Sequence, residues 1–213
     1  QATLADEMFL LGTLRDGQEC SEPFEALWTD SGVAFLRVPG LAEAETRELA
    51  AELLGFDIDS TAGEILYRRT LGNPLYAREL VRAVSGRAEI SPATGIGSLL
   101  ASSPPGERLI DLVLGRIRGL PREAREILEL IALAEPLDLE LLSSAVAADV
   151  PMQRLLRELE EQALVRSAND PDGRISYSLD HPMQGEVLKT HCPLPMQRDM
   201  YRRIADAMDA KGL

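Results

Sequence analysis

Thr70-Leu71-Gly72-Asn73-Pro74-Leu75-Tyr76-Ala77-Arg78-Glu79-Leu80 carries an explicit stop and an explicit start for helix. Gly72 can take the left-handed conformation that closes one helix, Asn73 can cap the next, and Pro74 suits its first turn. Tyr76, Leu80, Val81 and Val84 then recur at helical spacing and give the second helix a buried face, which Gly86 ends. The stretch predicts a rigid helix-helix corner in a packed bundle.

Upstream of the corner, Thr61 and Glu64 have capping-box spacing at the start of a helix that runs to about Thr70. Residues 41–54 read as an amphipathic helix with Leu49, Leu53 and Leu54 inward, Glu43, Glu45, Arg47 and Glu52 outward, and Gly55 as its stop. Residues 41–86 therefore form a small helical bundle. Before it, residues 33–38 read as a strand, residues 23–30 as a short helix, and residues 7–14 as a buried strand ending in a polar turn. A buried strand needs neighbours on both sides, so residues 1–40 are expected to be the trailing edge of an α/β core whose other strands precede them in a longer chain.

Downstream, residues 87–106 are rich in Gly, Pro and Ser and read as a linker without regular helix, with a short hairpin around residues 88–90. Leu109, Leu112, Val113 and Ile117 make one helical stripe. Pro121, Pro136 and Pro151 then punctuate three further helices. Their faces are Ala124, Ile127, Leu128 and Ile131; Leu139, Leu142 and Val146, capped by Asp138; and Met152, Leu155, Leu156 and Leu159, capped by Asp149. Two short apolar runs around an Asn-Asp-Pro-Asp-Gly turn at residues 169–173 come next as a β-hairpin. Three helices and a hairpin over residues 107–185 suit a winged helix. Residues 186–213 begin a further helical arm, with Met196, Met200, Ile204, Ala207 and Met208 on one face.

The fold class expected is mainly α: remnant strands of an α/β core, a helical bundle, then the winged helix with its hairpin. Apolar residues at 45%, charged residues at 27% and aromatics at only 4% fit a globular, helix-rich chain. A formal net charge of -13 repels nucleic acid and anionic membranes. The winged helix's third helix offers Gln153, Arg154 and Arg157, but three carboxylates, Glu158, Glu160 and Glu161, stand beside them, which argues against direct DNA contact. Arg68-Arg69 and Arg202-Arg203 read as solvated helix faces. Cys20 and Cys192 stand in unrelated contexts, so neither a disulfide framework nor a zinc spacing results and a cytoplasmic location is expected. No apolar run is long enough to span a bilayer. His191 and Cys192 alone make no metal site.

Asp180-His181-Pro182 places His181 at a helix N-terminus, where backbone donors and the dipole favour an anion; a histidine satisfied by local backbone is the alternative. No G-x-x-x-x-G-K-[ST] phosphate loop occurs, and Gly95-Ile96-Gly97-Ser98 lacks the lysine such a loop requires. No strand ending in paired acids offers a magnesium site.

The corner Gly72-Asn73-Pro74-Leu75-Tyr76 resembles the Gly-x-Pro segment in the lid of STAND-type AAA+ regulators, specifically the large bacterial LuxR-type regulators, and His181-Pro182 resembles their His-Pro motif. The resemblance implies a lid at residues 41–86 whose Gly72, Pro74 and Tyr76 contact the adenine side of ADP or ATP, and a winged-helix His181 that meets the β-phosphate. Arg15, at the end of the first strand, matches the sensor arginine that faces the terminal phosphate; otherwise it is an ordinary surface arginine. By the same resemblance the chain is part of a nucleotide-dependent switch in signal transduction and transcription regulation. Its partner would be an upstream nucleotide-binding core of the same parent, which would supply the phosphate loop and Mg ligands, and DNA would be met by a separate C-terminal helix-turn-helix. The Met-bearing face of the arm reads as a core seam, and the alternative is that it is exposed and drives self-association. The segment alone is not expected to act as an enzyme, although the parent could be a slow ATPase. The alternative reading is a helical and winged-helix protein-interaction module that never binds nucleotide.

Overall fold

A computed structural model describes residues 12–13, 34, 36–86, 95–147, 149–169 and 173–212. The chain divides into two compact units, Gln1–Phe35 and Leu36–Leu213, and every helix and strand among the described residues belongs to the second. Arg15, the expected strand over residues 7–14, the helix over 23–30 and the hairpin near 88–90 lie outside the described residues. Leu36, Arg37 and Val38 are described and belong to no strand, with Leu36 and Val38 among the most exposed apolar side chains, so the expected strand over residues 33–38 does not form there. The described part is mainly helical with one small antiparallel sheet.

The first core is built by α1 (Glu43–Leu54), α2 (Ser60–Thr70), α3 (Pro74–Ser85) and α4 (Ile96–Ser102). The Glu45 carboxylate accepts from the Ala42 N–H at the entry to α1 (2.7 Å), and Gly55, at φ 80°, closes the helix. Its buried face is Thr46 and Ala50, with Leu49 and Leu54 only partly covered and Leu53 exposed. The face is turned from the expected leucine stripe because small residues bring α1 close to its neighbours: a Cβ on Gly63 of α2 would stand 3.2 Å from the Arg47 stem. The cap of α2 is Asp59, which accepts from the Ala62 N–H (2.8 Å), and not the Thr61/Glu64 box; Glu64 instead pairs with Arg68 on an exposed face.

At the corner, Leu71 (φ 46°) and Gly72 (φ 71°) are both left-handed, and Asn73 Oδ1 accepts from the N–H groups of Leu75 (3.0 Å) and Tyr76 (3.3 Å). Pro74 opens α3, whose Tyr76, Leu80, Val81 and Val84 are buried as the spacing requires. Gly72 answers to a second demand besides its φ. The Leu41 N–H donates to Gly72 O (2.8 Å), and a Cβ on Gly72 would fall 2.0 Å from Leu41 O.

Residues 87–106 are not helix-free. Within them α4 forms and sets Ile96 and Leu100 into the first core. Glycine and serine lower helix propensity, but two buried apolar side chains at i and i+4 decide the outcome.

The second core is built by α5 (Glu107–Ile117), α6 (Arg122–Ala134), α7 (Leu139–Ala145), α8 (Met152–Glu161), α9 (Pro182–His191) and α10 (Leu194–Ala210), with strands β1 (Leu137–Asp138), β2 (Val165–Asn169) and β3 (Ile175–Leu179). The sheet order is β1-β3-β2, all antiparallel; Val165 pairs with Leu179 and Asn169 with Ile175 across the hairpin. The two-residue β1, Leu137 opposite Tyr177, is too short to show as a sequence pattern. The expected faces of α6 and α8 are buried in full, and Asp138 caps α7 by accepting from the Leu141 N–H (2.6 Å). In α5 the stripe is Leu109, Val113 and Ile117, and Leu112 is exposed. Pro151, not Asp149, occupies the cap position of α8 and bonds no side chain there. The stripe on α10 divides: Met200, Ile204 and Ala207 are buried, while Met196 and Met208 are exposed.

Gly72→Ala should cost about 2–4 kcal/mol of unfolding free energy, because a left-handed alanine and a backbone clash add together. Gly55→Ala shares the positive φ but meets open space, and should cost only about 1 kcal/mol. Urea titrations of the two variants measure the difference; equal losses would refute the close-approach account.

Candidate functional site

The two cores meet where the last turn of α2 and the first turns of α9 face each other. Thr70 ends α2 and offers a carbonyl that α2 does not use, because the left-handed residues beyond it divert the chain. His181 is the N-cap of α9, held there by the extended exit of β3 and by Pro182 at the first helical position. Its Nδ1 accepts from the Met183 N–H (3.1 Å), and its Nε2 lies 2.8 Å from Thr70 O. A carbonyl can only accept, so Nε2 carries the proton and the ring is neutral in one tautomer. The Tyr76 ring stands edge-on to the imidazole, with centroids 4.5 Å apart. Tyr76 thus springs from the corner yet packs in the second core.

One residue before Thr70, Arg69 forms a bidentate pair with Glu186, the carboxylate of α9 that lies beyond His181. The Arg69 side chain is 13% exposed, against 75% for its neighbour Arg68. An exposed pair such as Arg68–Glu64 contributes about 0–1 kcal/mol, whereas breaking a shielded, hydrogen-bonded one costs more. Burial pushes the His181 pKa below the ordinary imidazole range, and the nearby Arg116 guanidinium adds to that. The Thr70 carbonyl and the Asp180 and Glu186 carboxylates oppose the shift and are outweighed.

Four of the five positions singled out in the sequence are at or beside this junction, and the fifth, Arg15, lies outside the described residues. Gly72 is buried beneath Leu41, Tyr76 is buried beneath His181, His181 is half-buried, and Pro74 is exposed on the outside of the corner. These four are close together, although Thr70 and His181 are 111 residues apart in the chain. Arg69, Thr70 and Glu186 are members of the site that sequence reasoning missed. Arg69 looked like half of a solvated Arg pair, and nothing in one sequence links it to a glutamate in another element.

A bound nucleotide would find an exposed proline ring for its base, but Gly72 offers no open cradle and both imidazole nitrogens are engaged. Among the described residues no group of three or more His, Cys, Asp or Glu side chains is arranged to hold a metal. His191 spends Nδ1 on Val187 O (3.1 Å), and the thiol of the buried Cys192 has its pKa raised, first by burial and then by Glu129. An open depression of about 710 Å³ between α6, α7 and α10 includes Arg203, whose guanidinium is committed to Ala145 O and Glu126. Among the described residues no helix is long and apolar enough to cross a membrane. Compared with protein-family models and with curated protein sequences, the chain matches none.

A histidine whose folded pKa is depressed contributes stability that is complete above its unfolded pKa of about 6.5 and is lost as pH falls through the folded value. His181→Asn keeps an N-cap acceptor without the titration. Unfolding free energies measured at pH 7.5 and 5.0 should fall by more in the parent sequence than in His181→Asn. Identical falls would show that His181 does not carry the acid sensitivity.

Proposed function

We propose that this chain is the lid and winged-helix part of a STAND/AAA+ regulatory module from a LuxR-type transcriptional regulator, working as half of a nucleotide-dependent switch. The observation that carries the reading is the contact of His181 with the corner, through Thr70 O at 2.8 Å and the Tyr76 ring at 4.5 Å. The two motifs on which the resemblance rests meet in space, as a nucleotide held between them would require. In this reading α1 to α3 are the lid, with α4 attached to them, and α5 to the β2/β3 hairpin are the winged helix.

Pro74 would meet the base, with Gly72 and Tyr76 fixing the corner beneath it. Arg15 and a preceding core of the same parent would serve the phosphates, and Mg would be held by residues outside this segment. A phosphate that reached His181 would compete with Thr70 O for the Nε2 proton, so nucleotide and the closed corner are coupled through one donor. The segment alone would neither hydrolyse ATP nor bind it tightly, since a phosphate loop supplies both the cradle of amides and the lysine. The exposed face of α8 carries Arg154 already paired with Glu158 (3.3 Å), and DNA would be met by another part of the parent. A cytoplasmic location belongs to the same proposal.

A second reading, an interaction module without nucleotide, is favoured by a specific observation: His181 and Gly72 are both explained by contacts within the chain. Calorimetry distinguishes the two. In a parent protein that includes the preceding core, ADP should bind, and Pro74→Ala and His181→Ala should each weaken it about ten-fold or more, the loss of one good packing or hydrogen-bonding contact. A folded parent indifferent to ADP and ATP would leave the interaction module as the function.

A further inference from the structure

Arg69 serves two elements at once. Its Nη1 donates to Leu100 O and its Nη2 to Ser103 O (3.0 Å), the carbonyls that end α4, while Nε (3.0 Å) and Nη2 face the Glu186 carboxylate on α9. The guanidinium is a rigid fork, so all these partners are met together only when α4 and α9 are both seated. A helix as short as α4 does not hold itself in water. What keeps it in place is the burial of Ile96 and Leu100, the approach of Gly97 to Ala62 and Ile65 of α2, and the cap that Arg69 provides.

We infer that the Arg69–Glu186 pair is a clasp that makes the docking of α4 conditional on the docking of α9. If α9 leaves the corner, Arg69 loses its counter-charge in a largely buried setting and turns to water for solvation. The cap on Leu100 and Ser103 goes with it, and α4 becomes a released strap that uncovers Ile96, Leu100 and the surface of α2 beneath them. Thr70, next in sequence, loses His181 in the same movement. The last turn of α2 is therefore the relay between the C-terminal helices and a segment far upstream of them. The clasp deepens the switch proposed above, on whose reading its biological role rests, by supplying the route through which a swing of α9 would reach the helical bundle. It is tested without nucleotide, so its failure would leave the nucleotide reading standing.

The test is amide hydrogen exchange on the full chain. Glu186→Gln keeps the shape of the side chain and removes its charge. Amides of residues 99–103 should exchange about ten-fold faster or more, the factor expected for loss of a charge-assisted hydrogen bond, while those of residues 127–131 in α6 keep their rates. Glu64→Gln, which breaks the exposed pair on the same helix, should leave α4 unchanged. Coupling is reciprocal, so Leu100→Asp, which drives α4 off α2, should speed exchange at residues 184–188 of α9 by a similar factor. The clasp is overturned if Glu186→Gln leaves α4 unmoved, if α4 and α6 accelerate together as in a global loss of stability, or if α9 ignores the loss of α4.

Discussion

The close approach of the Leu41 backbone to Gly72 is the constraint on which the rest of the structure depends. A side chain at residue 72 would collide with Leu41 O, and the left-handed turn at residues 71 and 72 sets the angle between α2 and α3. That angle carries Tyr76 out of the first core and under the His181 ring, and it aims Thr70 O at Nε2. Small changes at residue 72 are thereby magnified into the relation between two hydrophobic cores. Packed interfaces respond in this way because they have discrete arrangements and do not deform continuously.

Three arginines of this acidic chain are used inwardly. Arg69 caps α4 at Leu100 and Ser103, Arg116 caps α8 at Gln162 (2.7 Å) and Ala163 (3.2 Å), and Arg203 caps α7 at Ala145 (2.7 Å). Each places positive charge where a helix dipole is negative and where the last carbonyls would otherwise lack a donor. α4 and α7 end in extended residues, so there the side chain stands in for the usual backbone cap. α8 instead closes through a left-handed Ala163 (φ 49°), with the Leu164 N–H donating to Leu159 O (2.9 Å), and Arg116 adds to that closure. Arg69 and Arg203 each hold a carboxylate as well, Glu186 and Glu126, so both join a helix end to a neighbouring element.

Long-range contacts and short elements are what the sequence concealed. The corner was legible because Gly72, Asn73 and Pro74 each act on their own backbone, and α6 and α8 were legible because their faces are large and periodic. The leucine stripe of residues 41–54 misled, since the side actually buried is set by how closely α1 must approach α2, a property of the pair. α4 was hidden by its Gly- and Ser-rich surroundings, which tertiary burial overrode. Of the site, Gly72, Pro74, Tyr76 and His181 could be picked out by their turn chemistry. Arg69 and Glu186 could not, because an ion pair across 117 residues leaves no local mark. Pairs of this kind need coordinates, and they connect the parts of the chain that local chemistry builds separately.

The position of Cys192 gives the protein a chemical reporter of its own. The thiol sits at the junction of α9 and α10 with 7% of its surface exposed, and burial together with Glu129 keeps it protonated. Thiolate is the reactive form, so alkylating reagents would modify this sulfur slowly while α9 rests against α6 and quickly once that packing opens. With Cys20 replaced by serine, the rate of labelling at one natural side chain becomes a clock for the opening of the C-terminal helices, read without adding a probe to the molecule.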